Sequence, residues 1–340
     1  MLPRFLLVVA PILAHTAVVA QGPRALDFER AFQWLRPIQL AQTSQVLNVS
    51  PRVKQDPRGG LLVIDPPEGQ VRLYETNGRL KAHFGRRGQG PGEFRSLASV
   101  VRAQSGVLWT IDGNGRLTVW SEDGKSRIDD FTIPLRNITD AELVGNDSLL
   151  LITPPHVTRA SPSGPILHLV DLKDRKLIRS FYEPAIPPGG KVVWGMLEGG
   201  SISVSGDAIG VTSPLLDSLL ILSRSGLSKI AAKPLDFLTR NKEIPDPRVN
   251  RPGFLTWVRE SSWIGLMQGN ETGWLIPRSG YGEHTVNDLL FFPNAGGEPI
   301  LIRNGPPLVG IASNGEFVFA NSAEMEPQHL RTARFRSVDR

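Results

Sequence analysis

Short apolar runs separated by Gly, Asn, Asp and Pro recur along most of this chain. In "GLLVIDPPEGQVRLYETNGRLKAHFG" three of them, Leu61 to Ile64, Val71 to Tyr74 and Leu80 to Phe84, are divided by "DPPEG" and "TNG". Both dividers carry turn chemistry, so the stretch predicts strands joined by tight turns. A second block, "GVLWTIDGNGRLTVWSEDGKSRIDDF", repeats the order: "LWTID" answers "LLVID", "GRLTVW" answers "GQVRLY" and "EDG" answers "TNG". "DSLLLITPP" with "ILHLVDLKDRKLIRSFY", and "GGSISVSGDAIGVTSP" with "DSLLILSRSGLSKIAAKPL", copy it more loosely. No convincing long amphipathic helix follows the N-terminal region.

Asp65 and Asp112, which close the matching "VID" and "TID" runs, stand 47 residues apart (65 to 112). That interval is too long for one hairpin and suits one four-stranded propeller blade. "SSWIGLMQG" with "TGWLIPRSG" makes a fifth unit, and "EPILIRNG" with "LVGIASNGEFVFANS" and "LRTARFRSV" a sixth. The expected fold is therefore all-β, a six-bladed β-propeller of four-stranded antiparallel sheets, with Leu61 to Ile64 and its equivalents as inner strands. Six units of about 53 residues and seven of about 46 both fit the length; the recognisable hairpins run out at six. Stacking such sheets in a ring leaves only short, protected edges. Ring closure asks the two ends of the chain to share a blade, and "TSQVLNVSP", Thr43 to Pro51, is the expected closing strand, an independent N-terminal hairpin being the alternative. Upstream, "ALDFERAFQWLRPIQLAQ" allows a short helix from Leu26 to Leu35, stopped by Pro37, with Trp34, Leu35 and Ile38 free to cover one end of the core.

The first twenty residues, "MLPRFLLVVAPILAHTAVVA", place Arg4 before an apolar run and small residues, Val18 and Ala20, at the −3 and −1 positions of a cleavage site. This reads as a secretory signal peptide; Pro11 and His15 interrupt it and weigh against a membrane anchor. The chain has no cysteine, so disulfides, thiolate nucleophiles and a lipidated N-terminal cysteine are excluded together. A secreted or periplasmic protein without disulfides must rest on a large core. The net charge of +5 falls by one with Arg4, and so small an excess, scattered along the chain, argues against a nucleic-acid partner. No later segment is apolar for long enough to span a membrane.

One stretch, "FGRRGQGPGEF", concentrates glycine and arginine at the junction of two units. A Walker loop would need Gly-Lys-Ser/Thr feeding a helix, and a dinucleotide fingerprint would need a helix after the glycine turn. Here Pro91 and Gly92 intervene and the pattern returns to period two. The glycines are expected at positive φ or at points of close backbone approach, with Glu93 taking backbone donors or an arginine to lock the turn. With "LWTIDGNGRLTVW" behind it, the stretch resembles the inter-blade signature of bacterial six-bladed β-propellers related to NHL-repeat proteins. The signature maps onto Phe84, Gly85, Gly88, Gly90, Pro91, Gly92, Glu93 and Phe94, then Arg116 to Trp120. The resemblance is strongest over Gly59 to Phe131, and only one full copy of the glycine signature is present.

The resemblance implies that lactonase-like hydrolysis or a lyase reaction in a central channel is open to the fold. Asp65, Asp112 and Asp207 are the candidate ligands for a calcium ion; strand termination and turn capping are their ordinary use. No other cofactor is expected. His83, His156, His168, His284 and His329 form no HExxH or closely spaced pair, and no G-x-S-x-G elbow presents a nucleophile. Arg86, Arg87, Arg95 and Arg116 are the candidate contacts for an anionic ligand. Trp109, Trp120, Trp194, Trp257, Trp263 and Trp274 fit inter-blade packing, or a sugar platform if exposed. The expectation is thus a leader over residues 1–20, an extension over 21–42 and a propeller over 43–340. Its expected role is binding or scaffolding toward an unknown protein, peptide or small molecule, with a calcium-assisted hydrolase or lyase and a carbohydrate-binding module as alternatives.

Overall fold

The computed structural model describes residues 24–41, 51–155, 164–184, 200–214, 216–235, 244–280, 287–320 and 329–336. The leader and most of Thr43 to Pro51 fall outside them. Within them the period-two runs pair into antiparallel sheets of four, each built outward from a central axis. Blade 1 comprises Arg52–Gln55, Leu61–Asp65, Gln70–Tyr74 and Leu80–Phe84. Blade 2 comprises Leu97–Arg102, Leu108–Asp112, Arg116–Trp120 and Arg127–Thr132. Blade 3 comprises Asp140–Leu143, Ser148–Ile152, Leu167–Asp171 and Lys176–Phe181. Blade 4 comprises Ser201–Ser205, Ala208–Thr212, Ser218–Ser223 and Lys229–Pro234. Blade 5 comprises Gln268–Asn270, Gly273–Gly280, Asn287–Pro293 and Ile300–Arg303. Blade 6 comprises Leu308–Ile311, Phe317–Ala320, His329–Phe335 and, from the other end of the chain, Phe32–Gln39.

The ring closes twice over. Innermost strands neighbour one another from blade 2 through blade 6, and Gly310 of blade 6 pairs with Val53 of blade 1, whose second strand lies beside Leu97–Arg102. Apolar side chains fill each junction between consecutive blades. Leu62, Val71 and Phe84 meet Leu97, Leu108 and Trp120 between blades 1 and 2, and Val318 and Leu330 meet Val53, Leu61 and Val63 between blades 6 and 1. A sheet packed on both faces has no solvent side, which is why Leu61–Asp65 and Gln70–Tyr74 are buried at every position and read as near-continuous apolar runs. This closed circuit of stacked sheets is a β-propeller, as the repeat predicts.

Several placements differ from the sequence expectation. Leu61–Asp65 and Leu108–Asp112 are second strands; the innermost positions go to the more polar Arg52–Gln55 and Leu97–Arg102. The strand that closes the last blade is Phe32–Gln39, paired with His329–Phe335, upstream of the expected segment. Only Phe28–Ala31 is helical in the predicted Leu26 to Leu35 helix; Arg24–Asp27 adds a parallel strand outside Ile300–Arg303, so "EPILIRNG" belongs to blade 5. A ten-residue helix, Arg251–Glu260, precedes blade 5, with Asn250 Oδ1 accepting from the Gly253 N–H at 2.9 Å and Trp257 buried.

The outer strands share a device that the repeat alone does not reveal. In blades 1 to 4 the pairing of third and fourth strands slips by one residue at the same place, leaving Lys81, Ile128, Ile178 and Ile230 unpaired in a bulge. Ile128, Ile178 and Ile230 are consequently among the exposed large apolar residues. A bulge twists an edge strand away from the flat geometry that another chain would pair with.

Candidate functional site

The upper face of the ring carries the links between blades and the turns between second and third strands. Phe84 to Phe94 is the link from blade 1 to blade 2. Gly85 has φ of 81°, and a Cβ there would meet the Phe94 ring at 2.5 Å; one at Gly88 would meet Glu93 Oε2 at 2.0 Å. The loop winds around Glu93, whose Oε2 accepts from the N–H groups of Gln89 at 2.9 Å and Gly90 at 2.8 Å, while Oε1 takes Arg86 Nε at 2.7 Å. The Gly90 N–H, then Arg86, hold the Glu93 carboxyl below the usual carboxylate range. Arg116, from the third strand of blade 2, clamps the loop from the other side: Nη1 donates to the Gly90 carbonyl at 3.0 Å and Nη2 to that of Glu93.

Beside the clamp lies a groove of about 640 Å³, lined by Arg95, Arg116 and Arg136 with Asn114, Asn137 and Gln89 among its neutral members. No acidic residue is among its described lining. Arg136 Nη1 donates to the Asn114 carbonyl, whereas the Arg95 guanidinium has no hydrogen bond or ion pair among the described residues. Asp112 sets the floor: Oδ2 accepts from the Arg95 N–H at 2.9 Å, and Oδ1 from the N–H groups of Ser96 at 3.2 Å and Asn114 at 3.3 Å. The structure therefore brings two of the four sequence-predicted arginines together with Arg136. Arg86 is paired with Glu93 and is exposed, as is Arg87.

The three candidate calcium ligands do not meet. Asp112 is engaged by backbone donors as described. Asp65 is buried at the upper end of blade 1, its Oδ2 3.8 Å from Nη2 of the equally buried Arg72. Asp207 lies exposed in the turn between the first two strands of blade 4, on the opposite face, where its carbonyl accepts from the Arg224 N–H at 2.8 Å. Among the described residues no three His, Asp or Glu side chains are grouped as a metal site. Trp109, Trp120, Trp257 and Trp274 are buried, in apolar cores rather than on a rim; Trp194 lies outside the described residues.

His168, on the third strand of blade 3, is buried. Thr153 Oγ1 donates to the Pro154 carbonyl at 2.9 Å, so His168 Nε2, 2.9 Å from that oxygen, carries the ring proton and Nδ1 accepts from Ser180 Oγ at 2.8 Å. Burial pushes its pKa down to about 4. The folded protein thus resists a proton that the unfolded chain accepts near pH 6.5, and stability held above that pH drains away as pH falls toward 4. His168→Gln is expected to remove up to about 3 kcal/mol of this acid-side loss, read as a flatter slope of urea-unfolding free energy between pH 6.5 and 4. An unchanged slope would exclude His168 as its source.

No protein-family model matches the chain, and no curated protein matches it in sequence. Solved structures do match in fold. A candidate exported protein from Bacteroides fragilis superposes with a TM-score of 0.67 at 12% identity, covering 92% of this chain and 97% of the other. A DUF4221 family member from Bacteroides vulgatus gives 0.60 at 11% identity, covering 90% and 97%. Kuenenia stuttgartiensis hydrazine synthase gives 0.51 at 8% identity, covering 84% and 78%. At such identities the likeness is one of fold.

Proposed function

We propose that this chain is an exported six-bladed propeller, akin to the NHL-repeat propellers, that binds an anionic ligand on its upper face. The observation that carries the reading is the groove of Arg95, Arg116 and Arg136, with no described acid in its lining and an Arg95 guanidinium that has no partner among the described residues. Export rests on the leader pattern of residues 1–20, and the Bacteroides fragilis protein of like fold is itself a candidate for export. Two of the arginines are braced against loop carbonyls, so the positive field is held in place before a ligand arrives, which reduces the ordering cost of binding. Arg95→Glu and Arg136→Glu are each expected to weaken binding of dextran sulfate at low salt by at least about tenfold. Calorimetric titration measures it, and wild-type affinity should fall with ionic strength. Binding that is insensitive to both substitutions would remove the groove from the function.

A further inference from the structure

Where blades 5, 6 and 1 meet, the upper face holds a second concavity, of about 420 Å³, within the range usual for small-molecule sites. Six prolines, Pro51, Pro66, Pro67, Pro277, Pro306 and Pro307, form much of its wall together with leucines. Proline brings no N–H, so this wall offers apolar surface and few donors.

Three charged side chains interrupt it: Arg52, Arg278 and Asp288. Asp288 lies opposite Arg278 in the pairing of the second and third strands of blade 5 and is only 5% exposed. Arg278 Nη1 stands 3.9 Å from Asp288 Oδ2, beyond hydrogen-bond reach. Oδ1 is buried with no hydrogen-bond partner among the described residues. Arg52 commits Nη1 to the carbonyls of Ala98 and Thr139, both at 3.2 Å, and its other nitrogens have no described partner.

A buried carboxylate that accepts no hydrogen bond among the described residues is a costly arrangement for a fold to keep, and Asp288, in the wall of a cavity, marks where a ligand's donor belongs. A plain amine would add positive charge beside two guanidiniums; a plain acid would leave Asp288 unanswered. A zwitterion with an apolar body answers both. We propose that this cavity binds a free apolar α-amino acid, its ammonium on Asp288, its carboxylate toward Arg278 and Arg52, and its side chain against the proline wall.

The test titrates the full chain with L-leucine, N-acetyl-L-leucine, which lacks the ammonium, and L-leucinamide, which lacks the carboxylate. Leucine is expected to bind saturably and each derivative at least about tenfold more weakly. Asp288→Asn should lower leucine affinity by a similar factor while Arg95→Glu leaves it unchanged. Leu266→Trp, which fills the cavity without altering Asp288, should abolish binding with an unchanged circular dichroism spectrum; if Asp288→Asn does not fold, this variant decides. Equal binding of leucine and its N-acetyl derivative, undiminished binding by Leu266→Trp, or no heat from leucine, valine or phenylalanine at about 10 mM overturns the proposal.

Discussion

Asp140→Ala is expected to lower the unfolding free energy by about 3–5 kcal/mol, the usual consequence of removing one partner from a buried ion pair. Asp140 begins the innermost strand of blade 3 and is 3% exposed. Its Oδ1 accepts from Ser99 Oγ of blade 2 at 3.1 Å and lies 2.8 Å from Lys54 Nζ of blade 1. Its Oδ2 accepts from the Ile202 N–H of blade 4 at 3.0 Å. One carboxylate therefore ties four consecutive blades together at the axis. Lys54 also reaches Glu142 Oε1 at 2.6 Å. Burial alone would pull the Lys54 ammonium down, but Asp140 and Glu142 more than reverse it and hold it above its ordinary value. Burial, aided by the Asp140 charge, pushes the Glu142 carboxyl up against the pull of Lys54; Asp140 reaches blades 2 and 4 as well as Lys54. Alanine would leave the N–H groups of Ile202 and Ala141 without the carboxylate that accepts from them, Ser99 Oγ with only the Ala141 carbonyl at 3.2 Å, and Lys54 with one carboxylate. Urea unfolding at pH 7 measures the loss; a change below about 1 kcal/mol would show that the junction acts like a solvated ion pair.

Why the repeat was legible while the axis was not follows from what each strand faces. Second and third strands such as Ser148–Ile152 and Ser218–Ser223 are packed between blades, so their sequences, "SLLLI" and "SLLILS", are apolar on both faces and stand out. Innermost strands see the channel on one side. "RVKQ" and "DAEL" are short and half-charged, which led the pattern to give the inner place to the apolar run that follows. The closing strand is hidden for a related reason: Phe32–Gln39 contains Pro37, which interrupts a run, yet the register shift between Trp34 and Pro37 accommodates it on the outer edge of the sheet.

The site shows the same division. Arg95 stands out in the sequence because it directly follows the glycine-rich link, Arg116 because it opens the strand segment of the same signature, and Glu93 because a carboxylate among glycines invites backbone donors. Arg136 comes from the next link along, in "PLRN", where nothing local distinguishes it; only the apposition of adjacent links on one face brings it to the same groove. Asp288 and Arg278 are ordinary charges near strand ends until blade 5 sets them opposite each other beside proline-rich links from blades 1 and 6. Asp112, expected as a possible ion ligand, carries the groove indirectly by fixing the backbone of Arg95 and Asn114.

On the opposite face a second buried ion pair joins blades 1 and 2, and its replacement should show strong non-additivity. Arg102 meets Asp56 through two bonds, Nε to Oδ1 at 2.8 Å and Nη2 to Oδ2 at 3.0 Å. Its Nη1 donates to the carbonyls of Gly106 at 2.7 Å and Glu122 at 2.8 Å, so one guanidinium fastens the post-strand turn of blade 1 to two turns of blade 2. Arg102→Met alone strands the Asp56 carboxylate among buried groups, and Asp56→Leu alone strands the guanidinium; each is expected to cost about 3–5 kcal/mol. Arg102→Lys keeps the charge but loses the two-pronged geometry and should recover less than half of that. The double variant, Asp56→Leu with Arg102→Met, removes both charges from a site where desolvation opposed them, so it should be more stable than either single variant. Urea unfolding of the four proteins closes the cycle. Losses that simply add in the double variant would mean that Arg102 stabilises the ring through its carbonyl contacts, with the Asp56 pairing contributing nothing of its own.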